Sequence, residues 1–188
     1  MRIGLGGLGG SGGSDPRILP LVLLHPARSI PMHVRDADPS DIDPLSSIWY
    51  HGWRDAHAEL LPAELGQDRS QERLRARLVD GLSSVRVAGA IGAPLGFTWI
   101  KDDQLNQLYV APEARGAGVA ASLVADAEAR MRAAGVRTAW LSCAIGNTRA
   151  ARFYEKNGWR RVGINVERLS MASGELDLEV WRYEKVLE

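Results

Sequence analysis

The chain has a single cysteine, Cys143, so no internal disulfide can form. Cysteine-ligated zinc and iron–sulfur clusters need several thiolates and are excluded by the same count. There is no surplus charge either: 23 lysines and arginines stand against 23 aspartates and glutamates. Nucleic acids and anionic membranes are gripped through an excess of cations, so neither is expected as a partner. No apolar run approaches the ~20 residues needed to cross a bilayer. What remains is 188 residues, 45 % of them apolar and 24 % charged. That fits one soluble domain, expected in the cytoplasm.

Glycine is plentiful but unevenly placed, with seven of the 20 inside the first 13 residues. Gly4, Gly6 and Gly9 spell G-x-G-x-x-G, a pattern that binds dinucleotides only between a strand and a helix. Three residues precede it here, and Ser14-Asp15-Pro16 follows without helical periodicity. Residues 1–30 therefore read as a flexible tail and 31–188 as the folded domain. Arg2 and the run Leu19–Leu24 hint at a secretion signal, but the glycine spacer between charge and apolar run argues against one. Met32, just before a strand-like segment, is an alternative start.

From residue 32 onward the periodicity becomes regular. Residues 32–34 open a strand, and Asp38-Pro39-Ser40-Asp41 offers capping side chains for a helix start. Leu45, Ile48, Trp49 and Gly52 recur at helical spacing, Trp53 follows, and Leu60-Leu61-Pro62 ends that region. A second helix is predicted over 68–79, closed by Gly81. Strands are predicted over 85–88, 95–100 and 105–110. Pro112 to Gly118 forms a loop, and Val119, Leu123, Val124, Ala127 and Met131 then make one apolar helical stripe that Gly135 stops. A strand over 138–143, a helix from about 147 to 156 closed by Asn157-Gly158, and strands over 159–162 and 176–186 complete the pattern. The expected fold class is α/β (α+β): a mixed, mostly antiparallel sheet of six to seven strands flanked by about four helices, with one strand–helix–strand unit.

The step from the strand over 105–110 into the long helix passes through Arg115-Gly116-Ala117-Gly118-Val119-Ala120. Glycines let main chain approach a ligand, converging amides donate to it, and the helix start adds about half a positive charge. The loop lacks the Lys-Ser/Thr ending of a P-loop. A diphosphate held by amides therefore fits better than a nucleoside triphosphate. A glycine turn needed only for tight packing accounts for the same residues equally well.

Two segments break that tie. Arg115, Gly118 and Ala120 occupy the fixed positions of Q/R-x-x-G-x-G/A, after Gln107-Leu108-Tyr109-Val110-Ala111-Pro112-Glu113. Farther on, Asn147 precedes Phe153-Tyr154 and Gly158-Trp159. In both segments the chain resembles the GNAT superfamily of acyl-CoA-dependent N-acetyltransferases. The resemblance spans about 32–188 and is strongest over 105–163.

The resemblance implies acetyl-CoA as cosubstrate, no metal, and transfer of an acetyl group to a primary amine of a small molecule or peptide. Pantetheine would lie in a wedge between the strands ending at Val110 and near Cys143, against Leu108, Tyr109 and Val110. Arg115, Gly116, Ala117, Gly118, Val119 and Ala120 would take the diphosphate, with Asn147 and Phe153 beside the cosubstrate. The Val110 amide would face the thioester oxygen, and Tyr154 would protonate the departing thiolate. Trp53 and His57 are the candidates for lining an acceptor pocket. His51 and His57 lie six apart with no H-E-x-x-H pattern, so a metal site is not expected there.

Many members of the superfamily carry a strand glutamate as base, where this chain has Asn106 and Gln107. Asp102, Asp103, His51 and His57 are the remaining candidates, and the base is left unassigned. The missing carboxylate gives weight to a second reading, a catalytically silent acyl-CoA-binding or sensing domain; Tyr154 speaks against it. A homodimer is left open.

Overall fold

The computed structural model describes residues 33–171 and 174–188. The glycine-rich stretch 1–30 and Met32, read above as a tail and an alternative start, lie outside the described residues. β1 (Val34–Asp36) ends where Asp38 begins a capping box: its carboxylate accepts from the Ser40 amide, and Asp41 accepts from the Asp38 amide. That box leads through a 3₁₀ turn (Pro39–Asp41) into α1 (Ile42–His57), which turns Leu45, Trp49 and Trp53 inward.

Next comes α2 (Ala63–Asp68), a six-residue helix. The sequence reading ended the region at Pro62, yet proline is compatible with a helix start, and the extra turn buries Leu65. α3 (Gln71–Gly81) starts three residues later than expected, where Ser70 Oγ accepts the Arg73 amide at 3.3 Å. β2 (Val85–Ala90), β3 (Ala93–Lys101) and β4 (Gln104–Val110) form an antiparallel meander. α4 (Val119–Ala133) carries the chain across to β5 (Thr138–Ala144), and α5 (Thr148–Lys156) follows. β6 (Arg160–Met171) and β7 (Gly174–Val186) close the chain as a long ribbon.

The seven strands lie in one sheet, in the order β1-β2-β3-β4-β5-β7-β6, and only β4 and β5 run parallel. Four helices of nine residues or more flank it, so the expected class and counts hold. The ribbon is much longer than predicted on its first strand. Ile164 and Val166 are 61 % and 55 % exposed. Ile164 and Val166 lie on the exposed face while Asn165 and Glu167 take the half-buried one, so the polar–apolar contrast that identifies a strand is misleading there.

The core has two sides. α1 and α3 bury Leu45, Trp49, Leu74 and Leu78 against Val85, Val87 and Phe97. On the other side, Val124, Ala127 and Met131 of α4 pack with Leu141, Trp159 and Tyr183. Each such side chain withdrawn from water contributes about 1.5–3 kcal/mol. Two charged networks sit within this frame. Glu128 of α4 accepts from Trp159 Nε1 at 2.9 Å and from Lys185 Nζ at 2.7 Å, while Lys185 also donates to the Asn157 carbonyl. Asp41 is fully buried and takes both Arg35 Nη1 and Nη2, at 2.6 and 3.0 Å, plus the amides of Asp38 and Gly92.

Burial alone would raise the Asp41 carboxyl, but the Arg35 bonds and the two amides outweigh it and hold it below the usual range. A carboxyl depressed by folding stabilises the protein above its unfolded value near 3.9, and that gain disappears as pH falls through the folded value. Asp41→Asn, which leaves Arg35 without its countercharge, is expected to cost about 3 kcal/mol at pH 7. Urea unfolding checks this, and the gap between wild type and variant should narrow below about pH 4.

Candidate active site

β4 and β5 pair at one position, Gln104↔Trp140. Asp103 reinforces that foot: its carbonyl takes the Trp140 amide at 3.0 Å, and its carboxylate takes Trp140 Nε1 at 2.9 Å. Immediately above, β3 pairs Trp99 with Gln107 but Ile100 with Leu105, which leaves Asn106 as an extra residue in β4. Such a bulge bends its strand and disrupts the ladder. From there β4 and β5 part, and the cleft between them opens to about 530 Å³.

One edge of β4 faces that cleft with its backbone. Ala111 donates its amide to the Leu95 carbonyl at 2.9 Å, toward β3. Orientation alternates along an antiparallel pair, so Leu108 and Val110 turn their N–H and C=O groups away from β3, to the side β5 has left. Backbone groups so placed need a partner. Leu108, Tyr109 and Val110 all border the cleft.

The mouth of the cleft is the start of α4. Gly116 and Gly118 sit at φ +80° and +84°, conformations that suit glycine, and a Cβ built on either meets nothing within 4 Å. The loop is open, not packed shut. Its helix is also uncapped: Gly118 supplies no side-chain acceptor, whereas Ser70 caps α3, Asn147 caps α5 and the Asp38 box precedes α1. The first amides of α4 therefore have no intrahelical acceptor and point at the cleft mouth. Arg115, Gly116, Gly118, Val119 and Ala120 border the cleft, while Ala117 turns away from it. Asp55 of α1 accepts from Arg115 Nη1 at 3.0 Å and from Arg149 Nη2 at 2.8 Å, joining three segments around the mouth.

α5 supplies the far wall. Asn147 uses its side-chain oxygen to accept the Ala150 amide at 3.1 Å, which leaves its NH₂ for the cleft. Phe153 and Tyr154 border the cleft, and the Tyr154 ring lies 6.3 Å from Trp159 and 6.0 Å from Tyr183. Burial, then the neighbouring Cys143 and Tyr109, push the Tyr154 phenol well above its ordinary value. Cys143, on the β5 wall, is pushed to about 11 by burial and by Glu155. Both stay protonated at neutral pH.

α1 closes the cleft from the other face of the sheet. Gly52 lets it approach: a Cβ there would fall 2.7 Å from the Tyr109 ring. Of the four candidate bases, only His57 borders the cleft. His51 is exposed, and Asp102 and Asp103 occupy the exposed turn before β4. His57 Nδ1 lies 3.0 Å from the Trp53 carbonyl. A carbonyl only accepts, so Nδ1 carries the hydrogen and Nε2 keeps a free lone pair. Burial first, then the charges of Arg69 and Arg149, hold the imidazole below its ordinary value despite the Trp53 bond. Trp53 itself is 8 % exposed and packs into the α1 core; it reaches the cleft only through His57, 5.5 Å from its ring.

A parallel strand pair that parts around donor-bearing main chain, with an uncapped glycine-led helix at the mouth, defines the class of CoA-dependent acyltransferase folds. The chain belongs to the acetyltransferase (GNAT) family, whose model matches residues 45–159. No curated protein has a sequence that matches this one. Solved structures share the fold. A GCN5-related N-acetyltransferase from Rhodopseudomonas palustris is 23 % identical, over 82 % of this chain and 95 % of that one, with a TM-score of 0.65. PaiA N-acetyltransferase from Thermoplasma acidophilum, solved with coenzyme A, is 22 % identical over 82 % and 98 %, with a TM-score of 0.58. A phosphinothricin acetyltransferase from Sinorhizobium meliloti, solved with acetyl-CoA, is 18 % identical over 82 % and 88 %, with a TM-score of 0.61.

A carboxylate placed at the mouth should compete with bound phosphates. Gly118→Glu is expected to weaken CoA binding by about tenfold to a hundredfold, the equivalent of one or two charge-assisted hydrogen bonds. Gly135→Glu, at φ +86° beyond the far end of α4, carries the same backbone strain and should bind CoA as wild type does. Titration calorimetry compares the two.

Proposed function

We propose that the protein transfers the acetyl group of acetyl-CoA to a primary amine of a small molecule or peptide. The observation that carries this reading is the parted β4–β5 pair, with unpaired amides of Leu108 and Val110 on one wall and Tyr154 on another. Acetyl-CoA supplies the activated acyl thioester. The amides of Arg115, Gly116, Gly118, Val119 and Ala120 hold its diphosphate, and the main chain of Leu108 and Val110 pairs with the pantetheine arm. Asn147 and Phe153 flank it.

Each chemical step then falls to a group that this chain provides. His57 accepts a proton from the incoming ammonium at Nε2, because burial and two nearby arginines keep its ring neutral. The Val110 amide donates to the thioester oxygen as negative charge develops there, an effect of about 3 kcal/mol for a preorganised donor. Tyr154 gives its proton to the departing sulfur. A phenol with so high a pKa is a weak acid, but the acceptor is altered in the same direction. The Cys143 thiol, on the same wall, shows how strongly this cleft disfavours a thiolate. A sulfur leaving there takes a proton readily.

Tyr154→Phe is expected to lower kcat by about 10²- to 10⁴-fold while CoA still binds, measured as thiol release on amine addition. In the pH profile of kcat with saturating amine, wild type should stay active below the ordinary imidazole value of about 6.5 and fall only at lower pH. His57→Gln should lose that acid limb and run slower at every pH. A limb that persists unchanged in the variant assigns the proton to another group.

A further inference from the structure

Two arginines on the α1 side of the sheet have no countercharge among the described residues. Arg69 lies where α2 turns into α3, half-buried, and its Nε is enclosed without a hydrogen-bond partner among the described residues. Arg77, on α3 and also half-buried, lies with its guanidinium 4.8 Å over the Trp49 ring. Arg35, Arg86 and Arg182 are half-buried too, and each donates to a carboxylate. Among the described residues no carboxylate pairs with Arg69 or Arg77. The groups around them are neutral: Arg77 lies over the indole of Trp49, both arginines act electrostatically on the phenol of Tyr109, and Arg69 acts on the imidazole of His57.

Each arginine feels the other. Burial and the charge of Arg69 both push the Arg77 guanidinium down, and Tyr109, raised to about 12 by burial, cannot neutralise either at physiological pH. Two like charges, both partly withdrawn from water and near enough for one to act on the other, raise the energy of the free protein, and an anion placed between them relieves it. Leu169, Met171, Leu176 and Leu178 of the β6–β7 ribbon pack against the same cluster as Trp49 and Leu65, and apolar surroundings strengthen an ion pair formed beside it.

The position says which ligand brings the anion. Leu108 and Val110 direct their side chains to the α4 side of the sheet, whereas Tyr109 points to the α1 side and packs with Trp49 and Phe97. Tyr109 and His57 both border the cleft, and both feel Arg69. The arginine pair therefore stands behind the wall that faces an incoming amine, on the opposite side of β4 from the α4 loop.

We propose that Arg69 and Arg77 form an anion subsite for the acceptor, so that the amine which this protein acetylates also carries a carboxylate. The subsite rests on the acetyltransferase reading above. Planar guanidinium forks suit a carboxylate, and two of them fix its orientation as well as its charge. The bound carboxylate also supplies the countercharge that the described residues do not.

The test uses the full chain with amino acids of graded length and their carboxamides, pairs that differ only in the free acid. Wild type is expected to favour the acid by about tenfold or more in kcat/KM, expressed in KM. In Arg69→Gln and Arg77→Gln the ratio should fall to about one; in Arg75→Gln, an exposed residue of α3 paired with Asp43, it should keep its wild-type value. Should the glutamine variants not fold, Arg77→Lys keeps the charge, loses the fork and still lowers the ratio. Binding is read separately: N-acetyl amino acids should raise the Tm of wild type and not that of the double variant. Carboxylate binding without turnover on any amine counts against the transferase reading and leaves the subsite standing. Equal rates on acid and carboxamide, a preference that survives in both variants, or no Tm shift in wild type overturns the subsite. Weakened CoA binding in either variant places the arginines on the cosubstrate and overturns it as well.

Discussion

The structure depends on a backbone that is deliberately left incomplete. A parallel pair needs a crossover, and α4 provides it, but the ladder that should follow is interrupted one step above Gln104↔Trp140 by the extra residue Asn106. The amides of Leu108 and Val110 then have no strand to satisfy them. Main-chain donors at the wall of a cleft must find a partner there, in water or in a ligand. The cleft is thus a site that a ligand with regularly spaced acceptors completes. The uncapped start of α4 repeats the same logic at the mouth, whereas side chains cap α3 and α5.

The electrostatics divide in a related way. Where the frame must be rigid, buried charge is paired and saturated, as at Asp41 with Arg35 and at Glu128 with Lys185. In the cleft, burial drives Tyr154, Cys143 and His57 to their neutral forms. A neutral wall suits the proposed transfer, in which the amine attacks once it has lost its proton and a free thiolate is disfavoured. Arg69 and Arg77 are the exception to both patterns.

Much of this was legible in the residues. Gly118, Gly135 and Asn157-Gly158 fall where helices start or stop, and the stripe from Val119 to Met131 is buried as its spacing required. The pairing of Arg115-x-x-Gly118-x-Ala120 with Asn147…Phe153-Tyr154 located two walls of one cleft. The bulge was not legible, because nothing in Gln104-Leu105-Asn106-Gln107 distinguishes a strand with one residue too many. Trp53 and His57 share a helix end and looked equivalent; a small difference in angle sends the indole to the core and leaves the imidazole on the cleft. Asp55, Arg69 and Arg77 carry no local signature at all. Their roles come from segments far apart in sequence, which only the fold brings together.

The Glu128 network bears on timing as well as stability. Glu128 belongs to the helix whose first turn opens the cleft, and Trp159 follows directly after the helix that carries Tyr154. Lys185 ties both to β7, the strand hydrogen-bonded along the whole length of β5. The α4 loop and Tyr154, proposed above to hold the two ends of the thioester, are thus tied through one buried network. β4 and α1 lie outside that network, so a cleft that widened on their side would leave the spacing between the α4 loop and Tyr154 unchanged.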